Sequence, residues 1–184
     1  MEQLSFSYKH SLVDEQSLNS SFSKLKEELE LLSMVKDNGY DDPRSSINLA
    51  TDMAYQEMVM SIVEEKRNLQ PRYVVVIGIG GSNLGTIAVE EAVQGIRPKV
   101  LSGRDDEPSM PGLLYADTVD PDSLSEIISI IEPVLQEGQN IIIDLVSKSG
   151  TTTEPVANFQ VLYELLQKYK NDAQEYVICT TGKG

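Results

Sequence analysis

The sequence predicts an α/β domain: a parallel, doubly wound sheet with helices on both faces, preceded by a helical N-terminal segment. Three observations carry this expectation. From Tyr73 onward, short apolar runs alternate with stretches of helical periodicity, the pattern of strands joined by crossover helices. Two of those runs, Val74 to Ile77, which is continuous and β-branched, and Ile141 to Val146, read as buried strands, the first as one covered on both faces. Each is followed by a turn rich in glycine or hydroxyl residues and then by a helix. A chain of 184 residues has room for one well-buried core and not comfortably for two.

The lead-in, residues 1–70, reads as two helices packed on the domain. Phe22, Leu25, Leu29 and Leu32 recur at three- and four-residue intervals, with Ser20 and Ser21 as candidate N-caps and Asn38-Gly39 as the stop. Lys24, Lys26, Glu28 and Glu30 mark the polar side. Asp41-Asp42-Pro43 breaks this helix. A second is predicted over 46–67, with Ala50, Ala54, Met58 and Ile62 four apart and with Met53, Met58 and Met60 as core filler.

Residues 71–184 form the sheet domain. After the Val74 strand come a helix over 84–93 and a Pro-, Gly- and Asp-rich connection over 95–112, in which Val100-Leu101 is at best a short edge strand. Leu113 to Ala116 is a strand. Asp120-Pro121 is a helix start, an N-cap followed by proline at the first helical position, and Leu124, Ile127, Ile128 and Ile131 supply its buried face. Pro133 is expected to end it. After the Ile141 strand, a helix places Val156, Phe159, Leu162, Leu166 and Tyr169 on one side, and Tyr176 to Thr180 is the last strand. The sequence stops at Gly182-Lys183-Gly184 without the helix this alternation leads one to expect, which suggests a truncated domain.

Composition narrows the function. A formal charge of −14 opposes binding to the nucleic-acid backbone or to anionic lipid, both of which require a basic face. It does not oppose binding a single phosphate, because distant carboxylates are screened over about 8 Å at physiological ionic strength. No run approaches the roughly 18 apolar residues of a membrane helix, and residues 1–10 lack the pattern of an export signal. The one cysteine, Cys179, has no partner for an internal disulfide. Together these imply a cytoplasmic setting.

Two strand-to-helix turns hold the candidate chemistry, at the carboxyl ends of strands where open α/β sheets receive ligands. In Gly78-Ile79-Gly80-Gly81-Ser82-Asn83-Leu84-Gly85, glycines allow close approach to the backbone, the free N–H groups of the following helix attract an anion, and Ser82 adds a hydroxyl. A dinucleotide fingerprint begun at Gly78 would need glycine where Asn83 stands, and no P-loop lysine follows. A purely structural tight turn accounts for the glycines as well.

The second turn is Ser147-Lys148-Ser149-Gly150-Thr151-Thr152-Thr153-Glu154-Pro155. Thr151 and Glu154 have the spacing of a capping box. A helix needs one N-cap, however, and Ser147, Ser149, Thr152 and Thr153 are left over. Hydroxyls and free N–H groups around one point make a cup of donors for a phosphate, with Lys148 adding charge or its N–H. Hydrogen bonds to a charged group contribute about 1.5 to 3 kcal/mol each, so three or four of them, less the cost of association, reach a dissociation constant of about 1 mM to 1 μM.

Together, IGIGGSNLG and SKSGTTTEP resemble the amino-terminal half of the glucose-6-phosphate isomerases, whose fold is the sugar isomerase domain, a flavodoxin-like sheet. The likeness runs from about Tyr73 to Gly184, and Asp117 to Pro121 resembles the family's aspartate–proline step. It implies that Gly81 and Ser82 contact substrate. It also implies that Ser147, Lys148, Ser149, Gly150, Thr151 and Thr152 form the phosphate-binding loop, with Ser147, Ser149 and Thr152 as hydroxyl donors.

The implied reaction interconverts glucose 6-phosphate and fructose 6-phosphate by acid–base catalysis through an enediol, without metal or nucleotide, in an enzyme that is usually dimeric. The family's glutamate base, ring-opening histidine, arginine and late lysine lie in motifs beyond Gly184. His10, the one histidine, reads as a surface residue and Glu154 as a helix-start residue, so no catalytic residue is assigned within the chain and the isolated chain is expected to be inactive. A sugar-phosphate sensor built on the same domain and an isomerase of another phosphosugar are the alternatives.

Overall fold

A computed structural model describes residues 7–95 and 110–182 of the chain. It divides into two compact units, Met1–Met60 and Ser61–Gly184.

In the first unit, helix α1 spans Glu15–Val35. It starts on Asp14, whose carboxylate accepts the Ser17 N–H at 2.6 Å, and not on Ser20 or Ser21. Asp14 caps better because an ionised carboxylate at a helix start gains both the hydrogen bond and the favourable dipole. Ser21 lies inside the helix and turns its hydroxyl back to the Ser17 carbonyl. No residue of α1 is buried, and Phe22, Leu25 and Leu29 are more than half exposed.

Residues expected to open a second long helix instead form a 3-10 turn, Ser45–Asn48. The buried Asn48 explains the interruption: its amide donates to the Val35 and Gly39 carbonyls at 3.0 and 2.9 Å, and its Oδ1 accepts the Asp37 N–H at 2.9 Å. Those bonds fasten the end of α1 to the turn. Helix α2, Met53–Asn68, begins only after Asp52 accepts the Tyr55 N–H at 3.0 Å. Met53, Met58 and Met60 are exposed and are not core filler. A four-residue spacing decides where such a side chain points, not what covers it. His10 is exposed as expected.

The second unit holds the sheet. Its strands are β1 (Pro71–Ile77), β2 (Gly112–Ala116), β3 (Asn140–Ser147) and β4 (Val177–Thr181), all parallel, in the order β2-β1-β3-β4. Helices α3 (Leu84–Gln94), α4 (Pro121–Gln136) and α5 (Thr153–Tyr169) connect them. The suggested strand at Val100-Leu101 lies outside the described residues.

Handedness then assigns the helices to faces. The step from β1 to β2 runs one way across the sheet, and the steps from β2 to β3 and from β3 to β4 run the other way. Right-handed crossovers therefore place α3 on one face and α4 with α5 on the opposite face. The packing agrees. Ile127, Ile131 and Leu135 of α4 and Leu162 and Leu166 of α5 share one core with Val75, Ile77, Leu114, Ile141 and Ile143. Tyr115, whose side chain alternates to the other face, donates its hydroxyl to Glu90 of α3 at 2.7 Å. Val75, Ile77, Ile141, Ile143, Ile131, Leu162 and Leu166 are completely buried. Each such side chain contributes ~1.5–3 kcal/mol, which makes the strand runs the anchor of the fold.

Helix α4 begins as expected, with the Asp120 carboxylate accepting the Asp122 N–H at 2.9 Å and Pro121 at the first position. It does not end at Pro133, which lies inside it. The lost N–H costs one intrahelical bond, but the next turn carries Leu135 into the core, and that burial offsets the loss. Gly138, at φ +80°, follows the end of the helix.

No described helix is long and apolar enough to cross a membrane.

Candidate functional site

The order β2-β1-β3-β4 reverses its winding between β1 and β3, and there the connections leave toward opposite faces. The carboxyl ends of these two strands are the position where doubly wound sheets take ligands. Ile77 pairs with Leu145, so the turns after β1 and β3 emerge side by side, from strands about 4.8 Å apart.

The first turn is a compact 3-10 step over Gly80–Ser82. Gly80 sits at φ +58°, in the left-handed region, and lets the Ser82 and Asn83 N–H groups close on the Ile79 and Gly80 carbonyls, both at 3.3 Å. Gly78 is buried, and a Cβ there would lie 3.1 Å from the Ser82 Cβ, so its missing side chain lets the turn fold onto the strand end. Gly81 is exposed, with open space where a Cβ would stand, and Ser82 is half-buried. Gly81 therefore leaves its backbone open to approach. Asn83 precedes α3, is 1% exposed and makes no side-chain capping bond; its amide nitrogen lacks a partner among the described residues.

The second turn brings three of the predicted hydroxyls together. The Ser149 Oγ accepts from the Thr151 N–H at 3.2 Å and from the Thr151 hydroxyl at 3.1 Å, and lies 3.2 Å from the Thr152 Oγ1. All three residues are exposed. Gly150, at φ +67°, supplies the left-handed step that bends the chain around this point. Ser147 stands apart: it is buried, and its Oγ accepts the Gly150 N–H at 3.2 Å, which braces the loop from below. Lys148 is exposed, with its carbonyl accepting the Gly182 N–H at 3.1 Å.

Helix α5 starts directly above these hydroxyls. Its N-cap is Thr152, not Thr151, and no side chain makes a capping bond there, so the Thr151–Glu154 capping box does not form. The Thr151 hydroxyl is engaged by Ser149 instead. The first N–H groups of α5 have no intrahelical acceptor by geometry, and they carry the positive end of the helix dipole. Glu154, in the first turn, is exposed. The result is a cluster of hydroxyls at an uncapped helix start, chemistry suited to a tetrahedral oxyanion.

Two polar contacts outside the predicted set support the turn. The buried Asn158 of α5 donates to the Thr118 carbonyl at 2.9 Å, tying α5 to the connection after β2. Asp144 of β3 has one oxygen without a partner, and burial pushes its carboxyl above the usual range, opposed in part by a hydrogen bond with Thr180. Helical and strand periodicity carry no sign of either role. Asn158 falls within an amphipathic helix and Asp144 within an apolar run.

The phosphoglucose isomerase family model matches residues 65–181, which include both turns. The glucose-6-phosphate isomerase of Leptospira interrogans is 38% identical over 68% of this chain and 26% of its own length. That of Mycoplasma mobile is 33% identical over 78% of this chain and 30% of its own. The probable glucose-6-phosphate isomerase of Methanococcus maripaludis is 28% identical over 92% of this chain and 34% of its own. The chain thus spans about a quarter to a third of the length of these relatives. Among solved structures, a hypothetical protein from Thermus thermophilus shares the fold, with a TM-score of 0.54 at 23% identity over 86% of this chain and 35% of that one. On the extent of the family match, and with both turns inside it, the chain belongs to the phosphoglucose isomerase family.

Proposed function

We propose that this chain supplies the phosphate-binding part of an aldose–ketose isomerase acting on glucose 6-phosphate and fructose 6-phosphate. The observation that carries the proposal is the convergence of the Thr151 and Thr152 hydroxyls on the Ser149 Oγ, at 3.1 and 3.2 Å, at the start of α5. Such hydroxyls exchange their mutual bonds for a phosphate oxygen at little cost, because every member can rotate its proton toward the anion. Gly81, Ser82, Ser147, Lys148 and Gly150 complete the site, the last three by shaping the loop.

Binding at the phosphate is remote from the carbons that react. Its role is to hold C1 and C2 in register with the groups that move the proton, and the binding energy is used for that orientation. On this reading the chain holds the phosphate end of the substrate and carries out none of the proton transfer. The cytoplasmic setting and the dimeric assembly of the family belong to the same proposal.

Calorimetry with the 184-residue chain tests the reading: glucose 6-phosphate and fructose 6-phosphate should bind with a dissociation constant between about 1 mM and 1 μM, and glucose should not. Equal affinity for glucose and its phosphate would remove phosphate recognition from this chain. Turnover of either ester by the same preparation would move the proton-transfer groups inside it.

A further inference from the structure

The strand beside the hydroxyl loop also reaches the site. Ser147, the last residue of β3, pairs with Thr181, the last residue of β4. Side chains alternate along a strand, so Thr181 shares the face of Ser147, Leu145 and Ile143, which is the face covered by α5. Thr180 shares the opposite face with Asp144. A Cβ on Gly150 would lie 3.3 Å from the Thr181 Oγ1, so that hydroxyl stands directly against the loop's left-handed residue. Thr181 is exposed.

One residue further, the Gly182 N–H donates to the Lys148 carbonyl at 3.1 Å. A Cβ on Gly182 would come within 2.8 Å of that same oxygen, so no other residue fits without moving the loop. The bond has an orientational consequence. In a planar trans peptide the carbonyl and the next N–H point in opposite directions. Holding the Lys148 carbonyl toward β4 therefore turns the Ser149 N–H away from β4 and commits that oxygen to the Gly182 N–H.

We propose that the carboxyl end of β4 is a working part of the anion site: the Thr181 hydroxyl is a further donor to the bound phosphate, and Gly182 is a positioning residue that sets the peptide after Lys148. This rests on the reading of the β3 turn as a phosphate site. It makes that site a feature of two strand ends rather than of one loop.

The test titrates glucose 6-phosphate and inorganic phosphate into the 184-residue chain and its variants, with a melting curve for each. Thr181→Val keeps the side-chain shape and removes the donor, so both ligands should bind ~10-fold more weakly, as for loss of one bond to a charged group, with the melting temperature unchanged. Thr181→Ser should restore affinity to within about twofold, since it returns the same donor. Gly182→Ala should weaken both ligands by ~10-fold or more through the displaced Lys148 peptide. A Ser149→Ala/Thr152→Ala chain serves as the reference. If that chain loses affinity while Thr181→Val stays within about twofold of the parent, the role of β4 is overturned and the phosphate site stands. If Thr181→Ser binds as poorly as Thr181→Val, the residue acts by shape and the donor role is overturned. If the parent chain does not bind, or the reference chain binds as the parent does, both readings fall.

Discussion

Replacing Ser149 and Thr152 together by alanine separates the chemistry of the β3 turn from its structure. Ser149 is the node of the cluster, accepting the Thr151 N–H at 3.2 Å and the Thr151 hydroxyl at 3.1 Å and touching the Thr152 hydroxyl at 3.2 Å. Those bonds lie at an exposed loop, where water replaces a lost partner, so the fold loses less than the ~0.5–1.5 kcal/mol that a typical internal hydrogen bond contributes. For a chain of this size, ~1 kcal/mol moves the melting temperature by about 2–4 °C. The variant should melt within that range of its parent.

Binding should respond far more. One hydroxyl donating to a charged oxygen contributes about 1.5–3 kcal/mol, equivalent to roughly 10- to 150-fold in the dissociation constant. Neighbours that share a node do not add, so the double variant should lose roughly 100-fold rather than the product of two full losses. Isothermal titration with glucose 6-phosphate, and with glucose as the unphosphorylated control, gives the number directly. An unchanged affinity for the ester would refute the convergence argument. A fall in melting temperature of more than ~10 °C would instead make these hydroxyls structural.

Two further outcomes follow from the same geometry. Gly150→Ala forces a Cβ into a left-handed residue at φ +67° and to 3.3 Å from the Thr181 Oγ1, which should cost ~1–2 kcal/mol, visible as a lower midpoint in urea unfolding; an unchanged midpoint would contradict the loop conformation. Asp144 has its carboxyl pushed up by burial, so the folded state holds its proton more tightly than the unfolded state does, and stability falls as pH rises from the ordinary carboxyl value of 3.8 toward the raised one. Asp144→Asn should melt higher than the parent at pH 7 and show a flatter stability profile over that window, and identical profiles would show that the carboxylate is solvated.

The sheet was legible because its signal is local and dense. Val74 to Ile77 and Ile141 to Val146 read as buried strands from composition alone, and Asp120-Pro121 marked a helix start to the residue. The errors fell where a distant contact outweighed a local rule. Leu135 in the core carried α4 through Pro133, and Asn48, bonded to the end of α1, held residues 45–48 out of a helix. In the site, the surplus of hydroxyls over what one cap requires singled out Ser149 and Thr152 together with Ser147 and Thr153, whereas Thr151, expected to cap, bonds to Ser149 instead. The burial of Ser147 did not, because strand β3 runs one residue past its apolar stretch and draws that side chain inside. Gly182 gave no warning either, since a glycine after a strand is common and only the position of the Lys148 carbonyl makes it obligatory.

The reversal of winding between β1 and β3 bears on how such a domain tolerates change. The two connections there depart to opposite sides of the sheet, so the path of the chain itself sets where the turns after β1 and β3 meet. Substitutions can therefore strip the donors from these turns or exchange them for others while the strand order that brings the turns together persists, so loss of affinity and loss of the fold are separable events in this protein.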